Sequence, residues 1–273
     1  MAKEEVTRGM RDVDQAADPD SCVRYLDAVR AQGRTQAFKQ RSFELLHPQV
    51  GAHLLDVGCG TGEDVQTLAR MVGGTGRAVG IDSSETMIAE ARKRAEGLNL
   101  PVEYSVGEAQ QLGFPANTFD GCRAERLFQH VANPAQVLAE MVRVTRPGGW
   151  LVVLDPDFET VVLDGVERGV TRKVLHFLCD TMIRNGWIGR QLPALFQAAD
   201  LREVNVSADT VILTEYTFAM QGLRLQEAVE QAQRVGIVSA AEAEAWLSQL
   251  AQARQGGRFF AALTGFFVSG QKP

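Results

Sequence analysis

Cysteine is scarce in this chain, and the four present, Cys22, Cys59, Cys122 and Cys179, stand far apart with no C-x-x-C pair. Such spacing signals neither a disulfide framework nor a thiolate metal site, so bland buried thiols are expected and no metal is implied. Nowhere does the sequence approach the roughly 18 consecutive apolar residues that a membrane-spanning helix needs. Residues 1–20 lack the apolar stretch of a signal peptide and any periodic core face, so they read as a disordered tail, and the expected location is cytoplasmic. An excess of positive charge is missing too. The formal net charge of −6 gives no whole-molecule attraction to nucleic acid or to anionic lipid.

What is present is an ordinary globular composition, 45% hydrophobic and 23% charged over 273 residues, without repeats or low-complexity tracts. From residue 52 onward, short apolar runs alternate with helix-like segments, the pattern of a parallel sheet covered by helices. His53–Val57 reads as a buried strand running into Gly58-Cys59-Gly60-Thr61-Gly62, after which Val65, Leu68, Ala69 and Val72 recur at helical spacing. A second strand over 78–82 leads to a helix capped by Ser83 or Ser84, with Met87, Ile88 and Ala91 on its inner face. Further strands are expected over 101–106, 119–124 and 150–155, with a helix from Asn133 and Pro134 before the last of them. Residues up to about Asp200 read as helical. Strands return at 203–213 and 259–269, separated by helical stretches near 223–235 and 239–254 that form an insertion on the domain's edge.

Glycines after the first strand let the backbone turn tightly and approach a ligand at the amino end of the next helix. A dinucleotide fingerprint would need a small residue where this chain has Glu63, and a P-loop would need Gly-Lys-Ser/Thr where it has Gly62-Glu63-Asp64. Two carboxylates at that helix start oppose a phosphate chain, which leaves a nucleoside cofactor without one.

Leu55-Asp56-Val57-Gly58-Cys59-Gly60-Thr61-Gly62 closely resembles the nucleotide loop of class I S-adenosylmethionine-dependent methyltransferases. Asp82 at the end of the second strand, Gly107-Glu108-Ala109, and Arg143 to Trp150 before the fifth strand are similar to three further elements of that family, in the same order. The pattern is nearest to the ubiquinone and menaquinone biosynthesis enzymes and to natural-product methyltransferases. The resemblance implies a Rossmann-like α/β fold, a doubly wound, mostly parallel seven-stranded sheet of order 3-2-1-4-5-7-6. It also implies one domain over 21–273, with an N-terminal helical cap at 21–50, a lid and acceptor region at 156–200 and a helical insertion at 221–256. S-adenosylmethionine is the implied cofactor, with S-adenosylhomocysteine as its product.

By that resemblance the backbone around Gly58 and Gly60 borders the methionine part, with Asp56 near its ammonium. Asp82 meets the ribose, Met87 lies beside the adenine and Glu108 near its amino group, although Glu108 stands where the family more often has Asp; Cys59, Gly62, Ser83 and Ala109 complete the cofactor-binding set. Each has a plainer alternative: Asp82 as a helix cap, Met87 as core, Glu108 as a solvated turn residue and Asp56 as a support for the loop. His130, after the fourth strand, is the candidate general base, with Asp155 as its partner and Asp157 as the competing choice. Ordering of its own loop is the other reading of His130, while Glu125 and Arg126 either bind a polar acceptor or pair locally. His47, His53 and His176 read as structural. Tyr25, Leu26, Phe158, Phe177, Met182 and Trp187 suggest a largely hydrophobic or aromatic acceptor, methylated on oxygen or carbon. A cyclase that retains the cofactor, and a thiol or arsenic methyltransferase, are the alternatives; homodimerisation stays open.

Overall fold

Strands rich in Val, Ile and Leu can be buried on both faces, and the sheet they build positions everything else. The computed structural model describes residues 13–15, 18–30 and 33–273. Its strands are β1 His53–Val57, β2 Arg77–Asp82, β3 Val102–Val106, β4 Phe119–Glu125, β5 Thr145–Leu163, β6 Arg202–Leu213 and β7 Ala261–Gln271. They lie in the expected order, β3-β2-β1-β4-β5-β7-β6. The pairs from β3 through β5 are parallel, and β7 runs antiparallel to both β5 and β6. The order reverses between β1 and β4, the switch point at which such a sheet opens a crevice beyond its strand ends.

Helices α1 Pro19–Arg30 and α2 Gly33–Leu45 precede the sheet, followed by α3 Glu63–Val72, α4 Glu85–Ala95 and α5 Pro134–Val144 between strands. Of the two serines considered, Ser84 caps α4, its hydroxyl accepting from the Met87 amide at 3.1 Å. Asn133 caps α5 in the same way at 3.1 Å, with Pro134 in the first turn, where a missing N–H is harmless. Val65, Leu68, Ala69 and Ile88 cover one face of the sheet together with Phe43 of α2 and Leu46 just after it. On the other face, Val137, Leu138 and Met141 pack beside Ile188, Leu192 and Phe196 of α7 Ile188–Ala198.

Two expectations need correction. β5 does not end at Asp155: it continues to Leu163, pairing Pro156 with Gly265 and, after a register shift, Leu163 with Ala261. The β-branched run Thr160-Val161-Val162 favours that extension, which a helical reading of this stretch overlooked. Residues 13–15, placed in the tail, form a short 3₁₀ helix, and Val13 is buried against Cys22 and Met87. The Asp14 carboxylate accepts from the Ser84 hydroxyl at 2.7 Å and the Glu85 amide at 2.8 Å, satisfying orphan donors at the start of α4. Residues 1–12 of that tail lie outside the described residues.

α8 Tyr216–Gly222, α9 Leu225–Arg234 and α10 Ala240–Gln255 separate β6 from β7, so the helical insertion begins earlier than residue 221. Together with α6 Arg168–Phe177 and Val161 of the β5 extension they enclose a core of their own, centred on Trp246, Leu225, Val229 and Leu178. Trp246 is 1% exposed, and its indole N–H donates to the Thr171 hydroxyl at 3.0 Å, joining α10 to α6. All four cysteines are free and buried, and among the described residues no helix is long and apolar enough to cross a membrane. Trp246→Ala should destabilise this helical unit by about 3–5 kcal/mol through the cavity it leaves and the orphaned Thr171 hydroxyl. Urea denaturation monitored by circular dichroism would measure it.

Candidate active site

The turn after β1 depends on left-handed backbone at Gly58, φ 75°, and Gly60, φ 51°, a region that side chains rarely tolerate. Its amides are held from β2: Gly58 and Cys59 N–H both donate to the Ile81 carbonyl, at 2.8 and 3.0 Å. One residue on, Asp82 takes the Gly60 amide at 2.9 Å on one oxygen and the Ser84 amide at 3.0 Å on the other. A carboxylate has about four acceptor positions, so capacity remains for two further donors. Burial raises the Asp82 pKa, and these amide bonds work against the rise.

Beneath the loop lies a cluster that the sequence reading did not assemble. Arg123 stands opposite Asp56 in the β1–β4 register and is 1% exposed. Its guanidinium donates to the Asp56 carboxylate at 2.9 Å and the Ser42 hydroxyl at 2.9 Å, pairs with Glu125, and lies 3.1 Å from Asp64. Lys39 of α2 reaches Asp64 at 2.5 Å and Glu125 at 3.3 Å. Burial pushes the Asp56 carboxyl up to about 6 despite Arg123. For Asp64 burial is outweighed by Lys39 and Arg123, which hold it at about 2. With Arg126 approaching Glu125 at 4.0 Å, three cations balance the three carboxylates under the loop.

The segment after β4 carries His130 and is braced from both sides. Asp155 is 0% exposed, and its carboxylate accepts from the Phe128 amide at 3.0 Å and the Gln129 amide at 3.2 Å. Asn185 donates through its side-chain amide to the Phe128 and Val131 carbonyls, at 2.7 and 2.8 Å. All these elements border one cavity of about 800 Å³, roofed by Tyr25, Leu26 and Val29 of α1 and by Gly222 and Leu223 of the insertion. Glu63, which replaces the third glycine of a dinucleotide loop, pairs with Arg30 of that roof at 3.3 Å and with Arg94 of α4.

Residues 55–153 match the methyltransferase domain family. Over 94% of its length the chain is 39% identical to an uncharacterized protein of transposon TN4556 from Streptomyces fradiae, covering 73% of that protein. A demethylmenaquinone methyltransferase from Bacillus cereus is 34% identical over half of the chain, a stretch that spans only 58% of the relative. The fold is shared with phosphoethanolamine N-methyltransferase 2 of Haemonchus contortus, solved in complex with S-adenosyl-L-methionine. The TM-score is 0.62 at 18% identity, covering 97% of this chain and 60% of that one. The chain belongs to the class I S-adenosylmethionine-dependent methyltransferases.

In this methyltransferase Asp56, Gly58, Cys59, Gly60, Asp82, Ser83, Met87, Glu108, Ala109 and His130 all line the cavity. The set suits the family's cofactor: acidic groups and backbone for a cationic nucleoside, with Glu63 and Asp64 opening α3 where a phosphate would be repelled. Gly62 departs from expectation. It does not line the cavity; its carbonyl accepts from the Tyr104 hydroxyl at 2.9 Å, and a Cβ there would stand 2.6 Å from that ring, so it is glycine for packing. Asp155 departs as well, since its carboxylate lies on the His130 loop's own amides and outside the cavity lining. The competing Asp157 is engaged by Arg190 at 2.8 Å. Phe177, Trp187 and His176 lie outside the lining, whereas Tyr25, Leu26, Phe158 and Met182 belong to it.

Arg123, Lys39 and Asn185 escaped the sequence reading. Only for Arg123 was there a signal, a charged residue at a position of β4 flanked by Cys122 and Ala124. Burial lifts the Asp155 carboxyl to about 7, against the bonds from Phe128 and Gln129 and the pull of Arg126. Because the folded value exceeds the unfolded one of about 4, this group's stabilising contribution is complete in acid and lost as pH rises through about 7. Urea titrations from pH 5 to 8 should therefore show a decline in stability that Asp155→Asn, which cannot ionise, removes.

Proposed function

We propose that this methyltransferase transfers the methyl group of S-adenosylmethionine to an oxygen or carbon of a small, largely apolar metabolite. The observation that carries the reading is the continuity of the cavity. Asp82, Met87 and Glu108 border the same space as His130 and the apolar side chains of Phe158, Leu178, Met182, Ile183 and Leu263. When bound, S-adenosylmethionine supplies an activated methyl on a positively charged sulfur. The Asp56 carboxylate in the lining would accept from the cofactor's ammonium, and the free acceptor positions of Asp82 would receive its ribose hydroxyls. Met87, Glu108 and Ala109 of the lining would hold the adenine.

The remaining task is alignment and exclusion of water, which the roof of α1 and the insertion serves. A hydroxyl or acidic carbon loses its proton near the moment of attack, and a nitrogen of the His130 ring accepts it. Asp155 and Asn185 act through the backbone, keeping that ring in place by fixing both the amides and the carbonyls of its loop. The Bacillus cereus relative's name, demethylmenaquinone methyltransferase, supports an apolar ring acceptor of the quinone kind.

Calorimetric titration with S-adenosylmethionine tests the first step, and a gain of 14 Da per acceptor, the mass of one CH₂, tests the second. No measurable affinity for the cofactor or its demethylated product would overturn the reading. Asp82→Ala should weaken cofactor binding by about 1.5–3 kcal/mol, the range for charge-assisted bonds to a carboxylate. His130→Ala should lower turnover roughly 10²–10⁴-fold while cofactor affinity holds; unchanged turnover would reduce the histidine to a scaffold.

A further inference from the structure

The charged groups that line the cavity differ in how they are paired. Arg30, Lys39 and Arg123 are each matched by a carboxylate beside the glycine loop. Three further arginines line the same space: Arg126 after β4, Arg184 after the turn that follows α6, and Arg224 at the start of α9. Three distant segments thus bring additional guanidinium groups to one cavity, in a protein whose net charge is −6.

Backbone strain marks two of them. Arg126 and Arg224 both hold φ at 52°, in the left-handed region that long side chains rarely adopt. Most other non-glycine residues there are Asn, Asp or His, which tolerate it; the two arginines do not share that ease, and both face this cavity.

Their charges are compensated to different degrees. Arg224 pairs with Glu227 at 2.6 and 2.8 Å, and Arg126 approaches Glu125 at 4.0 Å and the Tyr25 ring at 6.0 Å. Arg184 is exposed to the cavity and has no carboxylate partner among the described residues. It also adjoins Asn185, the residue that braces the His130 loop, so its charge is tied to the place where the acceptor reacts. One uncompensated guanidinium suits a single negative charge in fork geometry better than a dianion.

The geometry points to an acceptor that carries a carboxylate on its apolar skeleton, with Arg184 as the principal anion-binding residue and Arg126 and Arg224 supporting it. This rests on the function proposed above and names the substrate class of the same site. The carboxylate docks at these arginines, the apolar body lies against Phe158, Met182 and Leu263, and the nucleophilic atom is presented toward His130.

Binding can be read without turnover. Hydroxybenzoic acid, hydroxynaphthoic acid and a hydroxylated medium-chain fatty acid are each titrated beside their methyl esters into the full chain, with and without S-adenosylhomocysteine. At least one acid should bind about tenfold or more tightly than its ester. Arg184→Gln should abolish that preference, and Arg184→Lys, which keeps the charge, should retain most of it. An acid series with no member preferred over its ester, or a preference that survives Arg184→Gln, overturns the proposal. Naphthyl phosphate binding more tightly than hydroxynaphthoic acid would likewise overturn the monoanionic assignment. Failure to bind S-adenosylhomocysteine while acid preference persists would sink the methyl-transfer reading alone.

Discussion

A guanidinium that is almost wholly buried lies between the face of the two central strands and α2, and the glycine loop is arranged around it. Removing an ion from water costs several kcal/mol even after relaxation, so Arg123 is tolerable only because Asp56, Asp64, Glu125 and the Ser42 hydroxyl surround it. Those partners come from β1, α3, β4 and α2. Satisfying one buried charge thereby fixes the N-terminal helical cap against the glycine loop and the loop against the sheet. Glu63 extends the same logic outward, linking α3 to Arg30 of α1 and Arg94 of α4.

Asp82 has a comparable double role at the other edge of the loop. Its two oxygens hold one backbone amide after β1 and one after β2, so the carboxylate shapes the turn before any ligand arrives. Orientation is set by the fold, and little reorganisation is required on binding. Asp155 performs the corresponding work for the His130 segment, opposite the carbonyl bonds from Asn185. Two carboxylates, one at the end of β2 and one within β5 on the other side of the switch point, hold segments that border the cavity. The difference in exposure is informative: Asp82 lines the cavity with acceptor capacity to spare, while Asp155 is spent on its loop.

The extension of β5 past Asp155 contributes to the cavity wall. By pairing onward with β7 it carries Phe158 to the chamber and Val161 to the second core, where α6 and the insertion pack. The insertion reaches back over the sheet, and Gly222 comes close to the Tyr25 hydroxyl of the cap. Helices far apart in sequence thus roof the same space from two directions. That explains why a helical insertion on the edge of the fold lines the cavity at all.

Local sequence was sufficient for whatever depends on neighbours along the chain. The glycine loop, the caps at Ser84 and Asn133, the alternation of strands and helices, and Asp82 at its strand end were all legible, because turn sterics and helix-end hydrogen bonds act within a few residues. Tertiary structure alone decided which charges meet. Arg123 with Asp56, Asn185 with the His130 loop, and the gathering of Arg126, Arg184 and Arg224 depend on sheet register and on the path of the insertion. Only three-dimensional packing shows whether a carboxylate such as Asp155 faces the cavity or its own backbone, since hydrogen-bond partners are chosen by distance in space and not by spacing in the chain.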